Sequence, residues 1–181
     1  FSVLAGGVSG FSAPLVCKAA ASEILLDWIP YLRAAGGEVF GPDGEPLFNS
    51  TEGREALDYY VALRSLVSES DAPFGNEEVA LALRKSRVGF GVSWGGQAGV
   101  IVRREAGAAP MHYATLTHPW NVTWSFGILA GSAHPRAAAA LLAWLSGPEV
   151  DRIVGEYAGS PCRRASYAEQ QNTPWYPAQL A

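Results

Sequence analysis

Apolar positions recur along this chain in two rhythms, one near the helical spacing of about 3.6 residues and one of strict alternation. The opening FSVLAGGVSGFSAP reads as a short apolar strand followed by a loop rich in glycine and serine. A helix is then predicted from about Pro14 to Ala35. Its stripe is Leu25, Trp28, Ile29 and Leu32, spaced to face a core. Pro30 removes one hydrogen bond inside it and should bend the last turn. Gly36-Gly37 ends it, because the left-handed residue after a helix is easiest for glycine.

Val39-Phe40 and the following GPDGEP predict a tight turn with Asp43-Gly44 at its tip. Asn49 and Glu52 are placed to cap the next helix, which carries Ala56, Tyr60, Leu63 and Val67 on one side. A break near Asp71-Ala72-Pro73 precedes a helix from Asn76 to about Lys85. In RVGFGVSW, Val88, Phe90, Val92 and Trp94 alternate with Gly89, Gly91 and Ser93, which predicts a strand. Its glycines point to close approach by another backbone or a helix. GGQAGVIVRREAG should form a helix, Met111 to Leu116 a strand, and VTWSFGILAG a second alternating strand. Pro135 suits the first turn of a helix burying Ala138, Leu141, Leu142 and Leu145. Gly147-Pro148 separates it from another through Ile153 and Tyr157, and the tail from Gly159 reads as loop. Strands and helices alternate throughout, so the expected class is α/β.

The chain of 181 residues can hold one well-cored domain, and its 49% hydrophobic content marks it as globular. No apolar run approaches the roughly 18 residues that would cross a bilayer as a helix. The net charge of -4, with no basic stripe beyond Arg103-Arg104 and Arg163-Arg164, argues against a nucleic-acid partner. Cys17 and Cys162 could form one disulfide or remain two free thiols. Phe1 is not an initiator methionine, and the end at PWYPAQLA lacks a closing helix, so a chain cut at both ends is expected.

Little here carries reaction chemistry. GGVSG and SWGGQAG match neither phosphate-loop pattern. His112, His118 and His134 share no spacing that places two on one helical face, so no metal or other cofactor is expected. Gly91-Val92-Ser93-Trp94-Gly95 formally fits the G-x-S-x-G elbow, leaving an esterase-like hydrolase using Ser93 as an alternative. Against it, Glu105 is the one acid between Ser93 and His134. Tyr59-Tyr60 lies mid-helix, where one ring should face the core and the other water.

One constellation remains: aromatics at strand ends or on loops beside small polar residues. Trp94 with Gly95-Gly96-Gln97, and Trp120-Asn121 with Trp124-Ser125, have this character. Sugars offer flat C–H faces to aromatic rings and hydroxyl rims to amides, so such groups suit a carbohydrate cleft. Trp124, in phase with Val122, fits a core position equally well.

The order of these pieces resembles the second half of the family 1 extracellular solute-binding proteins, the maltose-binding-like receptors of ABC importers. The similarity is carried by WIPYLRAAGGEVFGPDGEPLFNSTEGREALDYYVAL, then EEVALALRKSRVGFGVSWGG, then WSFGILAGSAHPRAAAALLAWLSGPEVDRIVGEYAGSPCRRAS. It implies a two-lobed, periplasmic-binding-protein-like fold (type II), with residues 1–125 a partial ligand-binding lobe. Residues 126–166 would belong to the other lobe, and 167–181 would return towards further helices. It also implies a non-enzymatic receptor that captures a sugar or related polar ligand and delivers it to ABC permease subunits. Its setting would be periplasmic or extracellular, free or lipid-anchored. Trp94 matches the stacking tryptophan, with Gly95 beside it. Gly36 and Gly37 match a turn near the cleft, and Trp120, Asn121 and Trp124 fall in its lining. Arg163 sits where a basic residue follows Gly-x-Pro. Val88-Gly89-Phe90 and Cys162 depart from the family pattern. Cut from its parent sheet, the 126–166 segment would be free to swap between chains or self-associate, and an interaction fragment without its own ligand is a third reading.

Overall fold

The computed structural model describes residues 13–67, 73–103, 110–122 and 124–180. The strand and glycine loop expected in residues 1–12 lie outside these, as does most of the break before Pro73.

Strand β1 (Ala13–Val16) pairs in parallel with β2 (Val88–Gly91), in the register Ala13↔Val88, Leu15↔Phe90 and Val16↔Gly91. This corrects the helix predicted from Pro14. APLVC is a short, unbroken apolar run, whose period cannot distinguish strand from helix. Pairing with a segment far along the chain decides it, and Pro14 falls between the paired residues, where its missing N–H costs no ladder bond. Gly91 explains the close approach expected of the strand glycines: a Cβ there would come within 2.7 Å of Val16 and 3.3 Å of Leu83.

Helix α1 (Ile24–Ala34) starts ten residues later than predicted and keeps Pro30 in its interior. Gly36, at φ +85°, donates to Arg33 O (3.0 Å) and Gly37 donates to Leu32 O (3.0 Å). That reciprocal pair closes the helix end as the Gly-Gly sequence predicts. Helix α2 (Thr51–Arg64) buries Ala56, Tyr60 and Leu63 against α1, while Tyr59 stays exposed. Its N-cap is Ser50, whose Oγ accepts from Gly53 N–H at 3.1 Å, one residue after the expected Asn49. Helix α3 (Asn76–Arg84) lies across the sheet. A 3-10 turn (Gly95–Gln97) then leads into α4 (Ala98–Val102).

Ala13, Val16, Val79, Ala80, Ala82, Leu83, Val88 and Ile101 form the core between sheet, α3 and α4. Trp28, Leu32, Ala56 and Tyr60 form a second between α1 and α2. Full burial of a side chain such as Leu32 stabilises by about 2–3 kcal/mol.

The second half departs further from expectation. Residues 111–116 and 124–129 are not strands. Neither has a partner strand among the described residues, and alternation alone cannot satisfy an unpaired backbone. Helix α5 (Pro135–Leu145) begins at Pro135 as predicted, but none of its residues is buried; Leu141 and Trp144 are more than half exposed. Helix α6 (Pro148–Tyr157) packs on α4, where Gly99 N–H donates to Ala158 O at 3.1 Å. The expected terminal loop instead contains α7 (Arg164–Glu169) and α8 (Tyr176–Leu180). Trp175 and Tyr176 bury against Ala98, an anchor that loop-like composition did not suggest.

Candidate functional site

In an open sheet with parallel strands, ligands gather at the carboxyl ends, where loops diverge. Both described strands end together, Val16 opposite Gly91, so the residues that follow share one edge. After β1 come Cys17 and Lys18; after β2 come Val92, Ser93 and Trp94. Lys18 Nζ lies 4.5 Å from the centroid of the Trp94 ring. Trp120 approaches from the irregular 110–122 stretch, its ring centroid 5.2 Å from that of Trp94 and its plane turned by 68°. Both rings are half-buried. The Trp120 loop is tied to the end of α1, where Arg33 Nη1 donates to Pro119 O at 3.3 Å.

Beneath Trp94 lies a buried polar network. Asp27, on the first turn of α1, places Oδ1 3.5 Å from Lys18 Nζ. Its Oδ2 accepts from the Lys18 amide at 3.2 Å and lies 3.1 Å from the Tyr60 hydroxyl, which also donates to Lys18 O at 2.8 Å. Burial raises the Asp27 pKa, with Lys18 and the Tyr60 bond pulling it back. Burial lowers that of Lys18, opposed by Asp27. Sequence reasoning missed Lys18 and Asp27, and read Tyr60 as a core ring without its polar partners. The helical stripe assigned Leu25 to the core, but Leu25 is exposed and Asp27 faces inward. No periodic signal marks a charge that is buried because its partner sits on another element.

Gly95 sits at the other side of Trp94 in sequence, under the turn that follows α6. A Cβ on Gly95 would come within 2.5 Å of the Gln179 amide nitrogen and 2.6 Å of Ser160 Oγ. Gln179 Nε2 in turn donates to Gly159 O (2.9 Å), as does Trp175 Nε1 (2.7 Å). Gly96 beside it has open space where a Cβ would stand.

The structure therefore brings Trp94, Gly95 and Trp120 together, with Asn121 exposed next to Trp120. Gly36 and Gly37 follow the helix that holds the Trp120 loop. Gly37 is buried against Leu32 and Glu52, so it acts as a helix stop rather than an open wall. Trp124 is 89% exposed, packed neither in a core nor against the other rings named here. Arg163 Nε and Nη2 both donate to Ser146 O, at 2.9 and 2.6 Å, which commits its guanidinium to the end of α5.

The hydrolase alternative finds no support at Ser93. Its Oγ is buried without a hydrogen-bond partner, whereas His112, His118 and His134 are exposed. An elbow serine sits on a strained turn; the positive φ among non-glycine described residues belongs to Ser86. Cys17 is buried and Cys162 exposed, and both thiols are free. Among the described residues no group of His, Cys, Asp or Glu could hold a metal ion, and no helix is long and apolar enough to cross a membrane.

A family model described as bacterial extracellular solute-binding protein matches residues 18–152. A probable amino-acid ABC transporter periplasmic-binding protein of Sinorhizobium fredii is 28% identical, over 88% of this chain and 38% of its own length. Among solved structures, an ABC transporter solute-binding protein of Thermotoga lettingae bound to α-D-tagatose superimposes with a TM-score of 0.71 at 19% identity. That match covers 88% of this chain and 44% of the other. Maltose-bound MalE3 of T. maritima gives 0.68 at 17% identity, and a solute-binding protein of Agrobacterium radiobacter K84 with ribitol gives 0.64 at 16%. Each of these two matches covers 93% of this chain and 47% of its counterpart. The likeness places the chain in the periplasmic solute-binding fold, over less than half the length of these relatives.

Proposed function

This chain belongs to the bacterial extracellular solute-binding proteins, and from that membership we propose that the whole protein captures a sugar or polyol outside the cytoplasm and presents it to an ABC permease. Solute-binding proteins are not enzymes, and no catalytic residue is assigned. The observation that carries the ligand class is the pair of tryptophan rings at the carboxyl edge of the sheet, 5.2 Å apart and steeply inclined. Two ring faces set at an angle make an apolar corner for the C–H face of a sugar, and Asn121 and the open backbone at Gly96 supply polar groups nearby. The solved relatives with tagatose, maltose and ribitol favour the same class.

In this reading residues 1–125 form most of one lobe, and the stretch that follows meets the companion lobe through the exposed face of α5, while α6 packs back on α4. Closure of the lobes around the ligand is the signal the permease reads, since a ligand shifts an equilibrium only between states it binds differently. Arg163, held on Ser146 O, positions the end of α5 rather than touching ligand.

The test is a tryptophan-fluorescence titration of the full-length protein against neutral sugars, polyols and amino acids. Saturable binding of a sugar or polyol, weakened about tenfold by Trp94→Ala, is expected for loss of a stacked ring. Saturation by amino acids alone would overturn the ligand class, and binding indifferent to Trp94 and Trp120 would overturn the site.

A further inference from the structure

Lys18 is 2% exposed, a degree of burial that lysine adopts only when something holds its charge. Two groups hold it: the Asp27 carboxylate at 3.5 Å and the face of Trp94 at 4.5 Å. Asp27 holds it by an ion pair at 3.5 Å, and the ammonium is laid against the ring as well. An indole face attracts cations through its electron-rich quadrupole. With one cation already on one face, the opposite face attracts a second one less, and the like charges repel through a medium that screens poorly.

We propose that Lys18 is a specificity-determining residue: from behind Trp94 it turns the ligand site against cationic solutes and leaves it open to neutral and anionic polyhydroxylated ones. The inference rests on the reading of Trp94 as the stacking ring. A group stacked about 3.5–4 Å above the face opposite Lys18 would stand about 8 Å from the ammonium, which lies 4.5 Å from the ring centroid. There a lone unit charge, at an effective dielectric constant of about 20, would change affinity roughly thirtyfold. The opposite charge of Asp27 cancels part of this, so discrimination of roughly threefold to tenfold is expected.

Calorimetric titration of the full-length protein tests this with three ligands of one shape. They are the tightest neutral sugar of the panel, its amino-deoxy analogue held protonated at pH 6, and its uronate. The native protein should bind the amino analogue at least about threefold more weakly than the neutral sugar. In Lys18→Met/Asp27→Asn, which replaces both buried charges by neutral groups of similar shape, that ratio should close to unity. Lys18→Arg should keep it. Should the double variant fail to fold, Lys18→Arg/Asp27→Asn should widen the ratio, because a buried guanidinium keeps its charge when the counter-charge is removed. A purely structural role would move all three ligands alike. An unchanged ratio in the double variant, with Trp94→Ala still weakening every ligand, overturns the inference and leaves the stacking reading intact. Trp94→Ala without effect, or no binding of any panel member, overturns both.

Discussion

Cys17 follows β1 directly and is sealed against Leu15 and Leu63. Burial pushes its thiol from 9.0 up to about 12, with the Asp27 charge adding to the rise and Arg64 and Lys18 opposing it. The folded protein therefore holds this proton to higher pH than the unfolded chain. The corresponding stability is complete below about pH 9 and is lost between about 9 and about 12, by up to about 4 kcal/mol. Denaturant unfolding at stepped alkaline pH should show this loss, and Cys17→Ala should flatten that part of the profile. An unchanged slope in the variant would mean that other groups, such as the hydroxyls of Tyr31 and Tyr60, which burial also raises, carry it. A thiol reagent at pH 8 should modify Cys162 alone in the native state and both cysteines in denaturant. The two-thiol alternative was already visible in the sequence; the burial separating their reactivities was not.

At the scale of elements, short polar side chains do more than the periodic stripes to set where helices stop and how loops fold. Asp151, on α6, is buried and accepts from Cys162 N–H (2.7 Å), Arg163 N–H (3.1 Å) and Ser166 Oγ–H (2.6 Å). One carboxylate thus fixes the turn before α7. Asp151→Ala would orphan three donors at once, at an expected cost of about 2–4 kcal/mol. Amide exchange at Cys162 and Arg163 should accelerate, and Asp151→Asn, which keeps one acceptor, should recover part of the protection. Exchange unaltered in the alanine variant would show that the turn stands on other contacts. Helix ends were largely legible from local chemistry: Gly36-Gly37, Pro135 and Pro148 act where their backbone preferences demand. The cap at Ser50 instead of Asn49 is a one-residue shift between two competent acceptors. Strands were less legible, because β1 exists through its partner β2 and 111–116 has no such partner among the described residues.

For the molecule as a whole, the stretch from Trp124 to Leu145 stands apart. Trp124, Phe126 and Leu129 are more than four-fifths exposed, and Leu141 and Trp144 more than half. An apolar face of this kind marks a surface that meets something else, and it ends at α5, since α6 packs back on α4. The 181-residue chain should accordingly self-associate and bind an apolar dye. Changing Trp124, Phe126 and Leu129 together to serine should reduce both, as read by light scattering and dye fluorescence. A monomeric chain that ignores the dye would count against that assignment.

Local periodicity, turn chemistry and the order of motifs sufficed for the α/β class, most helix positions and the family. The sequence also singled out Trp94 and Trp120 by their place beside small polar residues. It took the folded chain to bring the two rings together, to set Arg163 on Ser146 O, and to bury Lys18 and Asp27 beside the ring. The physical reason is common to all three. Each is a contact between residues distant in the chain, and the burial of a charge or the pairing of a strand depends on a partner that no local window contains.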